Sequence, residues 1–274
     1  MCLPETLRSL EGAVSRRNVF KFAAAATAAA MLPEATHAAP LHQTMRFNRV
    51  VDLTHVLGTQ MPVFPGNDPV QIRVIVTHDK DGYYANRLDF AEHSGTHMDA
   101  PLHFAKDGLA VHEIPPARLV GPLAVVDIRD RAARDPDAQV MPDDIRAWER
   151  RYGRLPNGAI VIMQSGWATR INDGKAFLNA DESGTLHFPG WSKAATDFLM
   201  MERNVIGIGV DTLSLDHGAS KDFAVHYSWL PSGRWGLENV ANLSDVPPAG
   251  AMVVVGAPKV YGGSGGPTRL LAMV

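Results

Sequence analysis

Cysteine is nearly missing from this chain. The one copy, Cys2, stands second from the start, so the rest has neither a disulfide nor a thiol nucleophile, and stability has to come from a packed core. A basic surplus is missing as well. With 26 Lys+Arg against 29 Asp+Glu the formal charge is −3, and no Arg/Lys stripe is visible, so nothing marks a nucleic-acid partner. Long apolar runs are also lacking. Residues 22–32 are modestly apolar, but eleven residues are too few to cross a hydrocarbon layer of roughly 30 Å as a helix. No internal repeat and no low-complexity linker divides the sequence.

The N-terminus has the layout of an export signal. Ser15-Arg16-Arg17-Asn18-Val19-Phe20-Lys21 sets a twin arginine before the apolar run, and small residues follow at Thr36, Ala38 and Ala39, where a signal peptidase would cut. Residues 1–38 are therefore expected to be a twin-arginine signal peptide. Residues 39–274 are then the mature protein, periplasmic or secreted, with no stable membrane insertion after signal removal. An ordinary alanine-rich tail is the plainer alternative. The signal holds four Lys+Arg and three Glu, which leaves −4 on the remainder. About 235 residues suit a single α/β domain.

Apolar, β-branched runs predict strands over 50–56, 70–77, 123–128, 159–163, 205–210 and 252–255. Two segments predict helices. Residues 142–152 open with Pro-Asp-Asp, place Ile145, Trp148 and Tyr152 on one face, and stop at Gly153. Residues 192–203 open with a capping serine and line up Ala195, Phe198 and Leu199. The mixture predicts an α/β or α+β domain with more strand than helix. Residues 171–190, rich in turn formers, read as a surface insertion near a pocket. The glycine-rich stretch 262–266 lacks the Lys-Ser/Thr end of a phosphate loop and reads as a flexible turn between two terminal strands.

The chemistry concentrates in one segment, His93-Ser94-Gly95-Thr96-His97-Met98-Asp99-Ala100-Pro101-Leu102-His103. Three imidazoles and a carboxylate in so short a stretch suit a divalent metal with a proton shuttle beside it, hence a hydrolase. His93 and His97 are spaced for one face of a helical turn, yet Gly95 and Pro101 oppose a long helix. A tight loop or broken turn would also bring the four together. Ser94 and Thr96 are candidates for orienting ligands, with ordinary turn chemistry the alternative. Phe64, Trp167, Trp191, Trp229 and Trp235 are candidate walls of an aromatic pocket, although each taken alone is more often plain core. Phe64, in Pro62-Val63-Phe64-Pro65-Gly66, is the best of them. His187 reads as a surface residue.

Residues 93–104 match in full the His-x-Gly-Thr-His-x-Asp-x-Pro-x-His-Phe motif of the metal-dependent cyclase family, which includes bacterial kynurenine formamidases and isatin hydrolases. Asp52-Leu53-Thr54-His55, the Pro62 to Gly66 segment, Asp211-Thr212-Leu213-Ser214-Leu215-Asp216 and Gly265-Gly266-Pro267-Thr268-Arg269 look similar too, so the resemblance spans most of 48–274. It implies a compact, strand-rich swivelling β/β/α-type domain. It implies that His93, His97 and Asp99 bind a metal and that His103 is the catalytic acid/base. In the formamidase branch a second metal is held by the same aspartate with a later His and Glu twelve apart, a spacing that His226 and Glu238 share. Isatin hydrolases lack the acid there and use one metal, so Glu238 favours two metals bridged by Asp99. The formamidase branch often carries a tryptophan where Phe64 stands. Zinc and manganese both suit such a donor set. The implied partner is a small molecule, an aromatic amide, and the implied assembly a homo-oligomer.

The leading functional expectation is a metal-dependent amidohydrolase of the arylformamidase (kynurenine formamidase) type. The first alternative is a cyclic amide, imide or lactone hydrolase like isatin hydrolase. The alternative of another class is a non-catalytic periplasmic metal-binding protein, against which His103 counts, because a carrier needs no base.

Overall fold

The computed structural model describes residues 46–274, so the expected signal peptide lies outside the described residues. The strands are β1 Val50–Asp52, β2 Gln71–Val76, β3 Ala85–Asp89, β4 His97–Asp99, β5 Val120–Asp127, β6 Gln139–Val140, β7 Ala159–Gln164, β8 Gly190–Trp191, β9 Val205–Val210, β10 Trp235–Glu238, β11 Ala251–Gly256, β12 Gly265–Pro267 and β13 Arg269–Met273. Nine of them form one mixed sheet in the order β1-β13-β11-β5-β7-β9-β10-β4-β12. The middle four, β5, β7, β9 and β10, run parallel. The flanking strands on both sides are antiparallel.

Parallel neighbours need crossover connections, and three helices occupy them: α1 Pro142–Tyr152 between β5 and β7, α2 Lys193–Glu202 between β7 and β9, and α3 Ala224–Trp229 between β9 and β10. The first two match the sequence signals closely. Pro142 takes the first turn of α1 and Asp144 Oδ2 accepts the Met141 N–H at 2.7 Å. Ser192 Oγ accepts the Ala195 N–H at 3.1 Å and starts α2.

Both faces of the parallel strands are covered, which is why every residue of β7 is buried. Ala124, Val126, Val161 and Met163 meet Ile145 and Trp148 of α1, Phe198 and Leu199 of α2, and Val225 and Trp229 of α3. On the opposite face Leu123, Val125, Ile160 and Ile162, with Leu237 of β10, meet Met98, Val253, Leu270 and Ala272 from the antiparallel strands. The outcome is a helix layer, a parallel layer and a second β cover, a strand-rich α/β domain as expected. Gly207 in β9 serves this packing, because a Cβ there would run into the Trp235 indole. No helix among the described residues is long and apolar enough to cross a membrane.

Several local expectations are corrected. The first strand is shorter than 50–56. It ends at Asp52 because Thr54 replaces the ladder with its side chain, Oγ1 accepting the Leu270 N–H at 2.9 Å. The strand expected at 123–128 begins at Val120, hidden by Gly121 and Pro122. The proline is tolerated because at that point β5 is paired only with β11. Residues 171–190 are more than a surface insertion: Phe177, Leu186 and Phe188 close over Trp167 and Leu213 as a small separate core. The flexible turn expected at 262–266 is partly ordered into β12, which pairs with β4.

Candidate metal centre

The motif segment is not one helical turn: residues 93–96 form a bent loop, His97–Asp99 a short strand and Pro101–His103 a 3-10 turn, close to the tight-loop alternative. Gly95 adopts φ 67°, and a Cβ there would strike Leu57, so only glycine makes this entry into β4 without strain. Within β4, His97 and Asp99 are two residues apart and point to the same side. β10 lies on one edge of β4 and places Glu238 directly opposite His97. β12 lies on the other edge, with Gly265 opposite Asp99. After β4 a single 3-10 turn, Pro101–His103, doubles the chain back and stacks the His103 ring on His93, centroids 3.8 Å apart and planes 25° from parallel.

Two donor triads result, His93/His97/Asp99 and Asp99/His226/Glu238, each with its ligand atoms within 4.8 Å of one another and with Asp99 common to both. His93 Nδ1 lies 2.6 Å from Asp99 Oδ1, and His97 Nε2 lies 3.3 Å from both Asp99 Oδ1 and Glu238 Oε2. His226 Nε2 lies 3.5 Å from Asp99 Oδ2 and 3.3 Å from Glu238 Oε1. The other ring nitrogens are already committed. His97 Nδ1 donates to Gly95 O at 2.9 Å, and His226 Nδ1 pairs with Asp216 Oδ2 at 2.6 Å. His93 Nε2 sits 3.0 Å from Ser264 Oγ, which donates to Glu92 Oε2 at 2.6 Å. Such partners fix tautomers and aim the remaining nitrogen inward.

The residues fit a divalent cation. His97 Nε2 and Asp99 Oδ2 are buried without a hydrogen-bond partner, which is costly unless something else satisfies them. Two carboxylates, Asp99 and Glu238, are buried side by side. Burial alone would lower the His97 pKa, but these carboxylates outweigh it and raise the imidazole to about 10. Against the same burial, Asp216, Asp99 and Glu238 raise His226 well above its ordinary value. The cluster thus demands positive charge at its centre. His103 behaves oppositely: burial, with help from His93 and His226 and against Asp99, lowers it to about 4, so it is neutral at pH 7 and able to accept a proton.

The centre opens into a cavity of about 300 Å³ that is also lined by Phe64, Phe104 and Phe223, with Leu213 beside them; the rings of Phe104 and Phe223 lie 4.7 and 5.8 Å from that of His226. Phe223 begins α3 at φ 48°, a left-handed conformation that costs an ordinary side chain about 1–2 kcal/mol. A roomier recess of about 550 Å³, lined by residues such as His55, Thr59, Gln60 and Asn172, shares no residue with this cavity, and neither donor triad faces it.

The structure therefore brings His93, His97, Asp99, His103, His226, Glu238 and Phe64 around one space. It does not bring the four tryptophans there. Trp167, Trp191, Trp229 and Trp235 are fully buried core residues, their indole N–H groups donating to the carbonyls of Phe177, Gly209, Trp235 and Arg118. His187 is on the surface, paired with Asp137 at 2.7 Å. Thr96 acts on the backbone, donating to Asn239 O at 2.6 Å and accepting the His55 N–H, while Ser94 Oγ is buried with no partner. Sequence reasoning missed Phe104 and Phe223 as walls, Asp216 as the anchor of His226, and Ser264 as the anchor of His93. Asp216 and Ser264 lay in stretches already singled out, but without a partner to give them a role.

A buried cluster of histidines and carboxylates that fits a divalent cation, with a further imidazole stacked beside it, is the kind of centre that metal-dependent hydrolases use. The chain belongs to the cyclase family: residues 51–217 match the family model Cyclase, described as "Putative cyclase". It is 36% identical over 243 residues to an isatin hydrolase of Roseibium aggregatum, a match covering 82% of this chain and 91% of that protein. It is 27% identical over 228 residues to a kynurenine formamidase of Salinibacter ruber, covering 80% of this chain and 95% of that one. Among solved structures, isatin hydrolase A from Ralstonia solanacearum matches with a TM-score of 0.78 at 37% identity, over 82% of this chain and 92% of that chain.

Proposed function

We propose that the protein hydrolyses an amide carried on an aromatic ring, with a cyclic aryl amide of the isatin type as the leading substrate. The observation that carries this reading is His103 stacked on His93 beside the buried ligand cluster, inside an aromatic-walled cavity. The higher identity to isatin hydrolase supports the cyclic substrate. The metal is zinc or manganese, held by His93, His97 and Asp99, with a second ion at His226, Glu238 and the shared Asp99. When bound, it supplies Lewis acidity, polarising a carbonyl and lowering the pKa of water from about 15.7 toward about 7. A ring nitrogen of His103 takes the proton from the attacking water and returns it to the leaving nitrogen as the C–N bond breaks. The apolar walls exclude bulk water and hold the aryl ring, so the scissile carbonyl faces the imidazoles.

Arylformamide cleavage is the second reading, favoured by the Asp99–His226–Glu238 triad, which resembles the formamidase ligand set. The protein is further proposed to act in the periplasm or outside the cell after twin-arginine export, and to work as a homo-oligomer. A hydrolysis screen of the metal-loaded protein against isatin, N-formylkynurenine and a panel of lactones tests the reading. Fastest turnover of isatin is expected. Turnover of lactones alone would overturn the amide assignment, and no turnover of anything, with metal bound, would favour a metal carrier.

A further inference from the structure

We infer that Phe223 is the residue by which this cavity selects a flat, uncharged aryl ring, and that a strained backbone is kept in order to hold it there. The choice of reactive substrate rests on the proposed hydrolase function; the geometry does not.

Among the described residues, four non-glycine positions have positive φ: Asn179, Asn239, Asn242 and Phe223. Asparagine tolerates this region because its short amide finds local partners. Each of the three is also held by a tertiary hydrogen bond, donating through Nδ2 to His187 O, Gly95 O and Asp52 O respectively. Phe223 has no such bond, and its Cβ crowds its own carbonyl. It stands at the N-cap of α3, and the first-turn N–H groups of Val225 and His226 are bonded instead by the Asp216 carboxylate at 2.8 and 3.1 Å, so the helix start does not need a capping side chain at 223. The residue that carries the strain lines the cavity beside the ligand cluster.

The ring is what the strain secures. Its centroid lies 6.2 Å from that of Phe64 and 6.0 Å from that of Phe104, tilted by 49° and 47°, so Phe223 joins two rings from separate segments into one apolar wall. It also meets His226 edge-on at 5.8 Å, which sets the wall directly against the ligand cluster. A volume of about 300 Å³ is at the small end for ligand cavities and admits one or two fused rings. No lysine or arginine lines the cavity, so away from the ligand cluster the aromatic wall offers a substrate carboxylate no counter-ion. The recognised group is therefore a compact neutral aryl ring.

Phe223→Asn and Phe223→Gly keep the left-handed backbone and delete the ring, so they separate recognition from folding. The ratio of kcat/KM for formanilide to that for N-formylpropylamine is expected to fall about 10-fold in both variants. Their Tm is expected to equal or exceed that of the wild type, whereas a purely structural phenylalanine would lower Tm and leave the ratio unchanged. An unaltered ratio overturns the inference. If neither formamide is turned over, the dissociation constant for indole by calorimetry decides instead. A rise of about 10-fold in both variants supports the role of Phe223, equal affinity refutes it, and the missing turnover counts against the arylformamide reading alone.

Discussion

The two ends of the cavity are built on different principles. The heart of the polar end hangs on strands: His97 and Asp99 sit in β4, held on one edge by β10 with Glu238 and on the other by β12, while His93 and His226 come in from a loop and from α3 with their outward ring nitrogens already bonded. The aromatic end hangs on connections, Phe64 before the β2–β3 hairpin, Phe104 after a 3-10 turn, and Phe223 at a strained helix start. Ladder hydrogen bonds hold ligand atoms to fractions of an ångström, while loops alter without disturbing the sheet. The difference teaches which half carries reactivity and which carries choice of substrate. Members of one family can therefore share the first and diverge in the second.

Four substitutions press on that contrast. Asp99→Ala should do the most damage, because both triads lose a ligand: metal content falls to background by elemental analysis and activity disappears. Stoichiometric metal in this variant would contradict the shared role. His103→Ala should lower kcat by roughly 100-fold or more with metal retained. Loss of metal would mean that His103 is a ligand rather than the base. Ser264→Ala removes the hydroxyl between His93 and Glu92, and metal affinity, measured by competition with a chelator, should weaken by about 10-fold while Tm barely moves.

The effect furthest from the chemistry concerns Asp211, which follows β9 and belongs to neither donor triad. Burial raises its carboxyl from 3.8 to about 6, although the Ser165 hydroxyl and the Ser165 and Gly166 N–H groups donate to it. A folded-state pKa above the unfolded one favours the folded state in acid. That contribution is complete below about pH 4 and is lost as pH rises through about 6, on the order of 3 kcal/mol in all. Asp211→Asn should flatten the change of Tm between pH 4 and 7. An identical profile in both proteins would show that Asp211 does not titrate in that range.

Much of the centre was legible because its residues are close in sequence. The motif at 93–104 names its donors, and α1 and α2 announce themselves by Pro142, Gly153 and Ser192. The remainder depends on pairings that no local window contains. β4 and β12 have three residues each, too few for any period, and their register joins His97 to Pro267. Glu238 was readable only through family resemblance, whereas its physical cause is its position opposite His97. The tryptophans show the reverse failure, since composition alone does not distinguish a ring that packs in the core from one that faces a ligand.

The position of β4 in the sheet has a consequence for biogenesis. The ligand strand at 97–99 has its sheet partners far downstream, at 235–238 and 265–267. A nascent polypeptide on the ribosome carries the whole recognition motif long before it owns the second and third walls that hold the motif in its sheet. Loss of residues 265–267 would therefore unpair one edge of a centre whose own letters remain untouched.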